Sequence, residues 1–349
     1  MLPQTLQHYT PQLNALGLLS KGQCAELLRH CVDYPLHRIH KIFFEYQLNS
    51  GKLDLAGYGH GYSQDDFRAL LADPVFSALG MGEAVHVARR NDPFLAERLR
   101  FLDLFQTMDP EWIEYDYDGA FRHVPAVFFR TPNRYLRWPN TDRLGELSDI
   151  LRPVMPEVRD HEHSFTTLFE HLVQRDGARG NDLQIYRVGR CTERAQGWLK
   201  FILSGIDRRT LDDLQALGFD GIDTRPIERT FRLYPDQEHP QIALSVDVHH
   251  GVVAGFDVEC PYFDTTSAQP HLEASRRFSD GLVAEGLLDP DLALQLQDAT
   301  HYEWQDAPDH SRGVLLLNHY KFGIWGRTNG RMKAYFELIV NQRPPHLPC

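Results

Sequence analysis

The stretch QIALSVDVHHGVVAGFDVEC, residues 241–260, decides how the chain is to be read. Side chains alternate along a strand, so Ile242, Leu244, Val246 and Val248 form a wholly apolar face, with Ala243, Ser245, Asp247 and His249 on the other. Beyond His250-Gly251 the second arm divides into Val252, Ala254, Phe256 and Val258 against Gly255, Asp257 and Glu259. Three carboxylates thus share one face of a hairpin. In an ordinary half-buried sheet such a face meets bulk water. In a sheet closed into a barrel and wrapped by helices, the apolar face meets the helices and the polar face lines a lumen.

The pattern recurs. Four further pairs read as hairpins: Ile39–Leu48 with Lys52–His60, Glu111–Tyr117 with Val124–Arg130, Leu183–Arg190 with Trp198–Ser204, and Val314–Trp325 with Met332–Val340. In the last, Met332, Ala334, Phe336 and Leu338 oppose Arg331, Lys333, Tyr335 and Glu337, with His319 and Lys321 aligned on the preceding strand. A cationic wall opposite an acidic one is expected. Trp198, Lys200 and Ile202 oppose Leu199, Phe201 and Leu203; Trp112, Glu114 and Asp116 oppose Ile113, Tyr115 and Tyr117; and Lys41, Phe43 and Glu45 oppose Ile42, Phe44 and Tyr46.

Helical spacing separates the hairpins. Segments are expected at 165–175 with Ser164 as a cap, at Thr210–Leu217 stopped by Gly218, at Ala274–Glu285 and at Pro290–Asp298. The predicted fold is α+β, a closed antiparallel barrel of about ten strands in five hairpins wrapped by helices. Residues 1–38 would be a helical segment packed on a barrel domain spanning 39–349. The proline-rich crossing at 132–156 reads as a lid-like loop.

Such a lumen would gather Lys41, Lys200, Lys321 and Lys333 with Glu45, Glu114, Asp116, Asp247, Asp257, Glu259 and Glu337, plus His249 and His319. Charges taken out of water must be paired or stay wet, so the set implies a chamber with internal ion pairs. A mixed-charge network that merely plugs the barrel is the alternative. The candidate ligand-binding residues are Glu114, Asp116, Lys200, Asp247, Asp257, Glu259, His319, Lys321, Lys333 and Tyr335.

Other classes are disfavoured. Forty-eight acidic against thirty-six basic residues give a formal charge of −12, which repels a phosphate backbone, so no nucleic-acid partner is expected. No apolar run approaches the roughly 18 residues of a membrane span, and the N-terminus lacks the basic start and apolar block of a secretory signal, so a cytoplasmic location and no membrane partner are expected. Cys24, Cys31, Cys191, Cys260 and Cys349 are scattered without a CxxC pair. No GxGxxG, P-loop, GxSxG or HExxH segment is present. Asp160-His161-Glu162-His163 reads as a solvated helix start, and a triad of His249, Asp247 and His319 requires a geometry that spacing does not supply, so no metal site is assigned. Trp138, Trp304 and Trp325 are placed in or near loops at the barrel rims, either as aromatic anchors or as ordinary packing.

Repeated helix, hairpin and helix around an antiparallel barrel resembles the aromatic prenyltransferase barrel. That resemblance implies lumen cations holding a prenyl diphosphate beneath a tyrosine shield, with Lys41, Lys200, Lys321, Lys333 and Arg187 as binders, Tyr335 as shield and Glu114 as catalytic base. The acidic excess opposes a polyanionic ligand. The stretches WIEYDYD, SVDV to FDVEC, and HYKF followed by MKAYFEL also resemble bacterial proteins encoded beside ribosomally made, modified peptides, nearest the crocagin-type proteins that bind a precursor peptide. This second resemblance implies a peptide-binding protein of such a pathway, whose partners would be the precursor peptide, other pathway proteins or a second copy of the chain, with no cofactor. The alternatives are an aromatic or peptide prenyltransferase using a prenyl diphosphate, and a small-molecule enzyme with a His/carboxylate metal site.

Overall fold

The computed structural model describes residue 22 and residues 39–59, 109–115, 126–130, 163–179, 183–190, 198–235, 241–263, 268–306 and 311–342. Eleven strands form one antiparallel sheet: β1 (Ile39–Gln47), β2 (Lys52–Gly59), β3 (Asp109–Tyr115), β4 (Ala126–Arg130), β5 (Gln184–Arg190), β6 (Trp198–Ser204), β7 (Ala243–His249), β8 (Val252–Tyr262), β9 (His301–Asp306), β10 (Ser311–Gly326) and β11 (Met332–Gln342). Their order is β11-β1-β2-β3-β4-β5-β6-β7-β8-β10-β9, and β10 pairs with β11 as well. The result is a curled antiparallel sheet. The expectation of a closed barrel of ten strands in five hairpins is corrected: β9 is an added strand lying against β10, and Trp304 stands within it rather than in a loop.

Five helices are described: α1 (Phe165–Arg179), α2 (Arg208–Ala216), α3 (Arg225–Leu233), α4 (Ala268–Ala284) and α5 (Pro290–Asp298). Helix α2 starts on a capping box, with Asp207 Oδ1 accepting from Thr210 N at 2.8 Å and Thr210 Oγ1 accepting from Asp207 N at 3.2 Å. It stops at Gly218, whose φ of 86° is the left-handed conformation that glycine adopts without steric cost. Ser164 does not cap α1. Among the described residues its hydroxyl has no hydrogen-bond partner, and its backbone bridges to Val252. Helix α3 was not expected, although Thr224 and Pro226 mark its start.

The helices cover the apolar face of the sheet. Phe165 stacks on Phe201 at 4.0 Å, Phe219 meets Phe256 edge-on at 4.9 Å, and Phe278 stacks on Tyr320 at 5.5 Å. Phe44, Leu244, Val246, Val248, Phe256, Val258 and Phe336 are fully buried in the same cluster. At about 25 cal/mol per Å² of apolar surface removed from water, this interlocking of aromatic and branched side chains is the main stabilising term.

Bulges alter the simple alternation. A register shift between Asp247 and Val248 brings Val253, rather than Val252 and Ala254, to the helix side, and Ala254 packs among the inner residues instead. A second shift, between Leu317 and His319, precedes the return of Tyr320 to the helix side.

Trp325 packs on the helix side against Phe219, Phe256 and His163, with its indole N–H donating to Asp220 O at 3.0 Å, so it is no anchor at the mouth of the inner face. None of the described helices is long and apolar enough to cross a membrane. The 132–156 crossing, residues 1–38 apart from Gly22, Trp138 and Cys24, Cys31, Cys191 and Cys349 lie outside the described residues.

Candidate functional site

Strand register carries the predicted residues onto one face. Lys200 on β6 lies opposite Asp247 on β7, Ser245 opposite Asp257 on β8, Glu259 opposite Lys321 on β10, His319 opposite Tyr335 on β11, and Tyr335 opposite Glu45 on β1, which in turn faces Asp54 on β2. Ala56 on β2 faces Glu114 on β3. These charged side chains point away from the helices, yet Glu45, Asp54, Asp247 and Glu337 are each only 1% exposed. Burial of this kind requires an enclosed inner face.

The charges interleave instead of forming two walls. Lys200 Nζ lies 3.2 Å from both Asp247 Oδ1 and Asp257 Oδ2. Lys321 Nζ donates to Glu259 Oε1 at 2.9 Å and to Ser245 Oγ at 3.2 Å. Lys333 and Tyr335 both donate to Glu45, and Lys333 Nζ is 3.8 Å from Asp54. Each lysine therefore meets its carboxylates one or two strands away, which explains how so many charges are tolerated out of water. Asp247 is shared further with Arg327, whose Nη2 donates to it at 3.0 Å while the guanidinium lies over the Trp198 ring.

Burial alone would push the Glu259 carboxyl up; Lys321, His319 and the Tyr262 hydroxyl outweigh it and hold the group below its ordinary value. Burial, then the Glu259 charge, pushes the Tyr262 hydroxyl well up. Tyr335 is raised likewise, by burial first and by the surrounding carboxylates after it. His319 is pulled down to about 4, chiefly by burial.

The other part of the inner face is aromatic. Ala126, Phe128, Trp198, Ile202 and Ala243 form a second buried cluster with Trp112, Tyr186, Ala254 and Tyr262 packed against it. Phe43 meets Trp112 at 4.7 Å, and the Arg187 guanidinium lies 4.3 Å from the centre of the Tyr186 ring. Gly189 makes room for this zone, since a Cβ there would stand 2.1 Å from the Phe128 ring.

Of the ten candidates, Glu114, Lys200, Asp247, Asp257, Glu259, His319, Lys321, Lys333 and Tyr335 belong to this face; Asp116 lies outside the described residues, as does the side chain of Lys41. Sequence reasoning missed Asp54, Ser245 as a partner of Lys321, Tyr262 and Arg327. Asp54 was readable from the alternation of Lys52, Asp54 and Ala56 with Leu53 and Leu55. Among the described residues, Glu45, Asp54 and Glu114 are the group whose ligand atoms all lie within 4.8 Å of one another; His249, Asp247 and His319 form no such triad. His249 instead stacks on Trp198 at 4.9 Å. His163 Nε2 lies 3.2 Å from Gly218 O and its ring stacks on Phe219, while His161 lies outside the described residues.

Solved structures share this fold. AnaPT from Neosartorya fischeri matches with a TM-score of 0.58 and 14% identity over 98% of this chain and 94% of that one. The 6-dimethylallyltryptophan synthase from Micromonospora olivasterospora, solved in complex with DMASPP and Trp, matches with a TM-score of 0.56 and 17% identity over 85% of this chain and 81% of that one. The fold is that of the aromatic prenyltransferase barrels. No family model matches the sequence, and no curated protein matches it. The crocagin-type resemblance gains no support from these comparisons.

Proposed function

We propose that the protein is an aromatic prenyltransferase, holding a prenyl diphosphate and an aromatic acceptor together against the inner face. The observation that carries this reading is the division of that face into a charged zone containing Lys200, Lys321 and Lys333 and an aromatic zone built on Trp112, Phe128, Tyr186 and Trp198. An anionic head joined to an apolar tail fits such a division, and the fold likeness supports it. In the proposed reaction the bond from the prenyl carbon to the diphosphate oxygen breaks with its electron pair leaving on the diphosphate. An acceptor carbon forms the new bond, and its displaced proton passes to Glu114. Lys200, Lys321 and Lys333 would share their ammonium donors between carboxylate and phosphate oxygens. Incubation with dimethylallyl diphosphate and a panel of indoles and phenols, followed by mass spectrometry, tests it. A product one prenyl unit heavier than an acceptor is expected; its absence across the panel would remove the reading.

One observation favours a second reading. Glu45, Asp54 and Glu114 crowd together beside Lys333, and the carboxylates of the inner face outnumber its cations, which suits a ligand carrying positive charge such as a segment of a precursor peptide. Calorimetry with lysine- and arginine-containing peptides separates the two. Peptide affinity without diphosphate affinity would favour peptide holding.

A further inference from the structure

His319 sits where three strands place three rings in a row. Register sets it opposite Tyr262 on β8 and Tyr335 on β11. The imidazole stacks on Tyr335 at 4.3 Å with 14° between planes, and meets Tyr262 at 4.5 Å and 33°. Only the edge of the ring is left for hydrogen bonding.

Hydrogen-bond bookkeeping fixes which nitrogen carries the proton. Asn318 Nδ2 donates to Glu337 Oε2 at 2.6 Å, because a carboxylate accepts, so the Asn318 oxygen is the atom turned to His319. That oxygen lies 2.7 Å from Nδ1, which must therefore be the protonated nitrogen. Nε2 is left with a lone pair. Among the described residues it has no hydrogen-bond partner, although the residue is only 4% exposed. Glu259 Oε2 lies 3.9 Å from it and is itself an acceptor, already receiving the Tyr262 hydroxyl at 2.6 Å. Two acceptors thus stand side by side, and among the described residues no donor reaches Nε2. A buried acceptor left unpaired is unfavourable, and a ligand donor would recover that cost.

We propose that Nε2 of His319 accepts a hydrogen bond from the N–H or O–H of a planar aromatic ligand, fixing that ligand's orientation on the inner face. The proposal deepens the prenyltransferase reading by naming what holds the acceptor's donor group. Neutral imidazole is what the role needs, and the fall of His319 to about 4 under burial leaves it neutral near pH 7.

Calorimetry with matched probes tests it: indole against 1-methylindole, and phenol against anisole, each measured on the wild type and on His319→Phe, which keeps a ring between Tyr262 and Tyr335 but removes the acceptor. The wild type is expected to bind the donor-bearing member of each pair about tenfold more tightly, and His319→Phe to lose that preference. Equal affinities within each pair for the wild type, or no binding of either donor-bearing probe, would overturn the proposal whether or not the variant folds. So would an unchanged preference in a folded variant. Failure of the enzyme reading is seen separately, as absence of prenyl transfer while the discrimination between probes persists.

Discussion

Replacing Lys321 by methionine removes a charge from the inner face while keeping much of its volume. Lys321 Nζ is 2.9 Å from Glu259 Oε1 and 4.0 Å from Asp257 Oδ2, with both partners of the closer pair 8% exposed. At an effective dielectric of 20, a pair at 2.9 Å attracts by about 6 kcal/mol before desolvation is subtracted. The variant keeps a buried Glu259 with its main counter-charge gone, a loss that runs to about 3–5 kcal/mol. Urea unfolding at pH 7 of the wild type, Lys321→Met, Glu259→Gln and the double variant measures it. Lys321→Met is expected to be the least stable of the four. The double variant should recover at least half of the loss, because it carries neither charge. A cost of under about 1 kcal/mol for Lys321→Met, the range of exposed pairs, would refute the reasoning.

Three further outcomes follow from the same structure. Gly323→Ala should cost about 3 kcal/mol or more in unfolding free energy, because its Cβ would stand 1.7 Å from the backbone oxygen of Thr328 and the β10–β11 turn would have to move. Acid should destabilise in two stages. His319 is lowered from 6.5 to about 4 amid Glu259 and Tyr262 on β8, Lys321 on β10, Tyr335 on β11 and Arg187 on β5, so its contribution is complete above about pH 6.5 and is lost as pH falls towards 4. Glu259, depressed in the fold, contributes above its unfolded value and loses that below about pH 4.3; His319→Phe should remove the first stage of the stability profile and shrink the second, because His319 is one of the groups that hold Glu259 down. Asp207→Ala removes the capping box of α2 and should lower stability by about 1 kcal/mol in thermal or urea unfolding.

The hairpins were legible because their alternation is strong. Ile242, Leu244, Val246 and Val248 could face only a core, and the same period assigned Met332, Ala334, Phe336 and Leu338. Bulges were not legible: the shift at Asp247–Val248 inserts a residue into one arm with no punctuating glycine or proline at the inserted position, so Val252 and Ala254 were assigned to the wrong face. Strand β9, HYEWQD, has no clean alternation and is defined by its pairing with β10.

Membership of the charged face was readable from period two, whereas partnership was not. Lys200 meets Asp247 and Asp257, and Lys321 meets Glu259, through the registers of β6, β7, β8 and β10, which local sequence does not encode. This is why separate cationic and acidic walls were expected where the residues in fact alternate. Arg327 escaped notice because it lies in the turn after β10, and its reach back to Asp247 depends on how that turn folds over Gly323 and Gly255.

The central claim is that the buried lysines and the aromatic cluster of the inner face together receive an amphipathic diphosphate. Calorimetric titration of the protein with dimethylallyl diphosphate tests this most directly, beside Lys200→Met as the variant that removes one ammonium from the inner face. Saturable binding by the wild type, weakened at least about tenfold in a folded Lys200→Met, is the expected result. No binding by the wild type, or equal binding by the variant, would contradict it.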